Sequence, residues 1–590
     1  MRDLLLGIGA AAAVVFATVP ANAALTVSND PTSGVSCLSG VCTATASHAV
    51  LNVSDVTTML ANANLTLVSG NKAKDIVIAA AFSWTSANTL ELDANRGIAV
   101  NQAVVVAGPG GLTVTLNDGG SGGDLRFVRK GHVEFWDTSS NLTIGGHSYT
   151  LVKNIKQLAG KIANNPTAFY ALAQKYNAAK DGTYGGSPVS TAFSGVFEGL
   201  GNPIVGLTVA DQTAPPHIGL FDQLNPSGVV RDVALSKVSF SDFAQSAIGA
   251  VVGDNQGTVA NSSVSGQVTN MFGACAGTLV GFNERGAMIS NSQSSAPLTV
   301  NYGGSVDAGG LVGCTDGTIQ FSAAAGNVQA QCCSFVGGLA GYNFSHGIVL
   351  SSSASGKVSG TDTNGLIGGL VGRNDGAIQS SFASGDVTGA DQCGGLVGGT
   401  INGSITKSHA SGNVTMLPES GGLGGGLVGQ SGSSITQSYA TGNVTGDTGQ
   451  EVGGLVGYNL SSLQDSYASG NATTSGTSTG AGGLVGLNIG TIARTYSTGA
   501  PQNNGGKIGG SVGWDNAASG NITSDYWDTS TSGVSNLSQG AGNIANDPGI
   551  AGLTTTQLQS GLPSGFSSSI WGEDPGINGG LPYLLALPPR

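Results

Sequence analysis

The sequence predicts an all-β fold, a right-handed parallel β-helix solenoid with one small helical insertion. Three observations lead there. A Gly-Leu-Val-Gly phrase returns ten times, each copy holds only short apolar stretches divided by glycine, and the composition is apolar yet almost uncharged. Glycine supplies 98 of 590 residues and charged residues 9%, against roughly 25% in an ordinary soluble domain. With 40% apolar residues the chain is too hydrophobic to stay disordered. Its surface must then be built from Ser, Thr, Asn and Gly. A net charge of −13 argues against nucleic acid or anionic lipid as a partner, since both need basic patches.

The phrase reads AVVG at Gly253, TLVG at Gly281, GLVG at Gly313 and GLAG at Gly341. It continues as GLVG at Gly372, Gly398, Gly429, Gly457 and Gly486, then GSVG at Gly513, a mean period of about 29 residues. A second phrase follows most copies, as in Ala377-Ile378-Gln379-Ser380-Ser381-Phe382-Ala383-Ser384-Gly385-Asp386-Val387. Apolar stretches of two to five residues cannot make a helix, and no 3.6-residue period is present. Short strands divided by turns at a fixed length mean one solenoid coil per copy. Glycine suits the corners because it accepts positive φ and lets backbones approach.

Stacked coils place equivalent residues about 4.8 Å apart. Ile378, Ile405, Ile435, Leu463 and Ile492 are expected to form one internal ladder. Leu311, Leu370, Leu396, Leu427, Leu455 and Leu484 are expected to form a second, with Gln430 in a turn. Each buried side chain contributes roughly 1.5–3 kcal/mol before the entropy of ordering. Both Ile378 and Val387 need the core, so the strand must bend between them, and Ser384-Gly385 is the expected place. Phe382, Tyr439, Tyr467 and Tyr496 are then expected to stack inside. The alternative is an outward aromatic stripe, which would be a binding surface.

The GGLVGxNxGxI…SYATGxV phrase resembles the GLUG motif of filamentous-haemagglutinin-like bacterial surface adhesins. Asn95-Arg96-Gly97-Ile98 with Val104-Val105-Val106 resembles the N-terminal coils of such proteins, without their Asn-Pro-Asn-Leu secretion motif. The resemblance implies a bacterial cell-surface protein and an outer-membrane secretion partner.

The ends divide further. Arg2, the apolar run Leu4–Val19 and Ala21-Asn22-Ala23 make residues 1–23 a cleavable signal peptide, so the membrane is met only during export. Residues 24–150 alternate apolar and polar, as in Leu90-Glu91-Leu92-Asp93, and read as irregular β coils. Residues 151–182 change period. Ile155, Leu158, Ala159 and Ile162 share one helical face, as do Phe169, Leu172, Ala173 and Tyr176, with Pro166 opening the second helix of a pair. Residues 183–247 are transitional β coils, 248–530 the repeat solenoid, and 531–590 a C-terminal cap. Trp514, Tyr526, Trp527, Phe566, Trp571 and Tyr583 gather there as a lid over the last coil. The phase carries without a linker, so one continuous solenoid is expected.

An exported chain meets oxidising surroundings, and Cys37 and Cys42 flank a short turn that a disulfide could close. Cys275, Cys314, Cys332, Cys333 and Cys393 lie in the repeats, with their connectivity open. No metal or cofactor is expected, because neither CxxC nor His-rich spacing is present. Gly509-Gly510-Ser511-Val512-Gly513 matches the GxSxG nucleophile string, but Ser511 stands in the Leu slot without strand–helix context. Gly119 to Asp124 matches one calcium nonapeptide, where tandem copies are needed. β-Helix polysaccharide lyases and hydrolases are the enzymatic alternative. They need clustered carboxylates, and Asp525 with Asp528 is the best pair available, pointing opposite ways along a strand. The expectation is a non-enzymatic, secreted or surface-attached protein that binds a host or matrix glycan or protein through its repeat face.

Overall fold

The computed structural model describes residues 23–589 apart from 212–215, 243–246, 271–273, 302–304, 332–334, 362, 419–420 and 477–478. Residues 1–22 of the expected signal peptide, with Cys332 and Cys333, therefore lie outside the described residues. The chain is 49% strand and 6% helix, a parallel β-solenoid of about 17 turns with a few short helices. It divides into two compact units, residues 1–148 and 149–590, where one uninterrupted solenoid was expected.

In the first unit, strands Ala24–Ser28, Asp75–Ile78 and Ile98–Val100 stack in parallel on one face. Phe82–Trp84, Ala103–Val106 and His132–Phe135 form a second face. Leu65–Val68, Thr89–Asp93, Gly111–Thr115 and Leu142–Ile144 form a third. Alternation decides which side is buried, as in Thr89–Asp93, where Leu90 and Leu92 are inside. Helix Val53–Asn62 interrupts the expected all-β reading of this region. Val56 and Leu60, four apart, are fully buried, and the Asn52 side chain caps the first turn by accepting from Ser54 N–H. Val35–Leu38 and Val41–Ala44 form an antiparallel hairpin, and a disulfide joins Cys37 to Cys42 across it.

The second unit opens with helix Ile155–Asn164, capped by Asn154, with Ile155, Leu158 and Ile162 buried. The second helix of the expected pair is absent. Phe169–Leu172 is a strand, paired in parallel with His147–Val152 and Val196–Glu198, and Pro166 sits in a turn. An apolar run with i, i+3, i+4 matches also fits a strand buried on both faces, and pairing on each edge overrides the weak helical preference.

One repeat coil runs Leu366–Gly368, Val371–Asn374, Ala377–Gln379, Phe382–Ala383, Val387–Gly389. The first two segments belong to two 11-stranded parallel sheets, which we call the first and second sheets, and the last three to a third. Register places Ile378, Ile405, Ile435, Leu463 and Ile492 on successive rungs. Leu311, Leu370, Leu396, Leu427, Leu455 and Leu484 are fully buried at the corner between the first and second sheets. Glycine there serves close approach, since a Cβ on Gly369 would sit 2.1 Å from the Gly395 carbonyl oxygen.

At one turn of every coil, positive φ is carried by residues other than glycine. Asn261, Asn291, Phe321, Ser351, Ser380, Lys407, Gln437, Asp465, Arg494 and Ser524 all lie at φ between 47° and 55°, one per coil. This left-handed residue turns the chain before Ser384-Gly385 is reached, and the parity changes accordingly. Ala383 points in and Phe382 points out, the reverse of the expected inward stacking. Such a conformation costs roughly 1–2 kcal/mol per residue. A ladder one residue later offsets it. The amides of Ser292, Ser322, Ser352, Ser381, Ser408 and Ser438 donate to the hydroxyl of the next coil's serine at 3.1–3.2 Å. Each hydroxyl donates in turn to the carbonyl two residues back, as Ser381 does to Gln379 at 2.9 Å. A second polar ladder lines the opposite corner, with Asn255 Nδ2 donating to Asn283, Asn343 to Asn374, and Asn459 to Asn488, at 2.6–2.8 Å.

The serine ladder ends on Asp525, fully buried, whose carboxylate accepts from the Thr495 hydroxyl at 2.7 Å. Asp528 is also buried and accepts from the hydroxyl of Thr555, so the two acids are structural and do not converge. Ser511 is fully enclosed in its corner.

Candidate functional site

Two sheets separated by a two-residue corner bring their outer side chains together. Residues seven apart meet across that corner: Asp307 and Cys314, Phe335 and Tyr342, Gln392 and Gly399. The Phe335 and Tyr342 rings lie 5.2 Å apart, edge to face. The Arg373 guanidinium lies over both, 5.3 Å from Phe335 and 5.0 Å from Tyr342. A disulfide joins Cys275 to Cys314. Outward side chains of two adjoining sheets can touch in this way only if their outer faces meet at a re-entrant angle. The corner is therefore a trough along the repeat axis.

Its richest stretch is centred on Arg373. The guanidinium pairs with Asp375 at 2.9 Å, and Asp375 also accepts from the Tyr342 hydroxyl at 2.6 Å. Phe344 also packs against Tyr342, with centroids 3.9 Å apart. Burial pushes the Tyr342 hydroxyl up to about 12, helped by Asp375. Burial pushes Asp307 up to about 7 against the opposing pull of Arg373, and Glu451 up to about 7 against the Gly480 N–H it accepts. These carboxyls are poised near neutrality inside a mostly apolar trough.

The same direction holds for Asp525, pushed up to about 7 by burial. A carboxyl whose folded pKa exceeds its unfolded value near 4 binds more protons when folded, so stability is full below pH 4 and is lost as pH rises toward 7. The protein is expected to melt at a higher temperature at pH 5 than at pH 7.5, by a few kcal/mol of stability. Asp525→Asn is expected to reduce that dependence, leaving the part that Asp307 and Glu451 contribute. A melting temperature that falls on acidification over this window would contradict the assignment.

On the third sheet, Phe382, His409, Tyr439, Tyr467 and Tyr496 form one outward stack with ring centroids 4.8–5.1 Å apart and planes within 13°. The C-terminal segment covers part of it. Trp571 and Leu584 are buried against Tyr439, Tyr467, Tyr496 and Tyr526. The Tyr496 hydroxyl donates to the Pro582 carbonyl at 2.6 Å, and Tyr526 to Ser564 at 2.9 Å. Phe382 and His409 are half-buried. The segment expected to lie over the last coil thus has two parts. Ile550–Leu553 pairs with Ile522–Asp528 and, with Gly540 accepting from Ser511 and Val512, ends the stack. Residues 554–589 turn back along the flank and pack on the outward tyrosines. The core end is closed by Trp527, fully buried where the preceding coils carry Ala440, Ala468 and Ser497.

The trough was not anticipated from the sequence, although its signal was there in the seven-residue spacing across each GGLVG. Gln430 lies in strand Val428–Ser431, half-buried on the trough wall, and not in a turn. Cys393 is free and fully buried. Among the described residues no helix is long and apolar enough to cross a membrane.

Repeating coils with an internal Asn ladder and a Gly-rich corner make the chain a parallel β-solenoid. A family model described as the GLUG motif matches residues 363–388, 390–415 and 448–473, so the chain carries GLUG repeats. It is also 30% identical over 326 residues to Halomucin of Haloquadratum walsbyi (strain DSM 16790 / HBSQ001). That match covers 41% of this chain and 4% of Halomucin, so the chain spans a small fraction of that relative's length.

Proposed function

We propose that the protein is exported to the cell surface or secreted, and acts as an adhesin-like β-solenoid that binds an extended glycan or matrix protein along the trough. The observation that carries this reading is the run of facing residue pairs with Phe335, Tyr342 and Arg373 at its richest point. Aromatic rings beside an Arg–Asp pair offer apolar contact with fixed polar partners, the usual composition of a binding surface. Among the described residues, the one group of three or more His, Cys, Asp or Glu with converging ligand atoms is Cys275, Asp307 and Cys314. A glycan lyase or hydrolase would call for converging carboxylates instead.

The purified protein should bind a subset of a glycan and matrix-protein array. Arg373→Ala is expected to weaken that binding by about tenfold or more while leaving the melting temperature within a few degrees. Binding unchanged by Arg373→Ala and by Tyr342→Ala would remove the trough as the site. Degradation of an arrayed glycan would favour the enzyme.

A further inference from the structure

We propose that Cys275, Asp307 and Cys314 form a redox-gated site for a zinc-class divalent cation, open when the disulfide is reduced. Cys275 and Asp307 are neighbouring rungs of the first sheet, and Cys314 faces Asp307 from the second. Their ligand atoms all lie within 4.8 Å of one another, with Cys314 Sγ 3.6 Å from Asp307 Oδ2. A tetrahedral zinc ion, bonded at about 2.3 Å to sulfur and about 2.1 Å to oxygen, sets its ligands about 3.5–3.8 Å apart. The Asp307–Cys314 pair already has that spacing. The two sulfurs reach it by side-chain rotation, because the strands hold the Cα atoms of Cys275 and Cys314 5.5 Å apart.

The donor set decides the metal class. Two thiolates and one carboxylate favour zinc over calcium or magnesium, which take oxygen ligands. Water from the open trough takes the fourth position. Reduction by two equivalents of a monothiol delivers two electrons and two protons to the sulfur–sulfur bond, and the reductant becomes its own disulfide. Binding then releases the two thiol protons to solvent. Oxidation by a low-molecular-weight disulfide reverses this: the two thiolates give up two electrons and rejoin as the protein disulfide, the oxidant is reduced to two thiols that take up the protons, and the ion leaves. Consecutive coils are clipped across the trough in both states, by a covalent bond in oxidising surroundings and by a metal in reducing ones.

Cobalt(II) serves as the probe, on the full chain with Cys37, Cys42, Cys332 and Cys333 replaced by serine. The reduced protein should take up one Co²⁺ per chain with a thiolate-to-metal absorption band, and Zn²⁺ should displace it. Oxidation should abolish the band, and so should Cys275→Ser. Asp307→Asn should weaken binding by about tenfold or more without breaking the disulfide in the oxidised protein. A melt of each reduced protein checks that it is folded. A folded reduced protein with no band, or a band that survives Cys275→Ser, overturns the proposal. If the reduced protein is unfolded without metal, Co²⁺ must restore the cooperative melt in the parent and not in Cys275→Ser; failure to do so overturns it equally.

Discussion

Leu427→Asp is expected to unfold the repeat region, at a cost of about 5 kcal/mol or more, whereas Gln430→Asp should cost about 1 kcal/mol. Leu427 is fully buried, stacked between Leu396 and Leu455 on the corner, and the backbone ladder runs through it. Its amide donates to the Leu455 carbonyl at 2.8 Å, and its carbonyl accepts from Leu396 at 2.9 Å. The corner offers no room to turn an aspartate outward. Removing the isobutyl group alone costs about 2–5 kcal/mol, and a buried carboxylate without a cation adds several more. Solenoid stability is a sum over neighbours, so one failed interface divides the stack. Gln430 is half-buried on the trough wall, where an aspartate keeps contact with water. Thermal melts of both variants decide the matter. Equal losses would show that Leu427 does not face the core.

Deleting residues 554–590 is expected to leave a folded solenoid that self-associates. The deletion removes Phe566, Trp571 and Leu584 and bares the outward rings of Tyr439, Tyr467, Tyr496 and Tyr526. Losing a buried tryptophan alone costs about 3–5 kcal/mol, and a contiguous aromatic strip in water is an association surface. The remaining chain keeps Ile550–Leu553 on the last coil and Trp527 in the core, so cooperative melting should persist at a lower temperature. Light scattering coupled to size exclusion reads the association directly. A truncated protein that stays monomeric and melts like the full chain would mean that the return segment protects nothing.

The sequence by itself determined the repeating coil, its length and its inward aliphatic rungs. These follow from local chemistry that recurs in every copy: apolar residues that need burial, glycines where neighbouring backbones nearly touch, and a period that only stacking can satisfy. Ile378 and Leu427 are legible for that reason. What only the tertiary structure decided was which way each remaining side chain points. A left-handed turn at Ser380 reverses the parity of everything after it, and nothing about Ser, Lys, Gln or Arg at that position announces positive φ, although Asn261, Asn291 and Asp465 on other coils do. The conformation is held by hydroxyls of the next coil, a contact about 30 residues away in sequence. The same applies to Phe169–Leu172, whose spacing suits helix or strand until neighbouring strands claim its edges. It applies also to the trough, where residues seven apart meet because two sheets fold toward each other. Local propensity carries no term for such angles; they are set when whole coils stack.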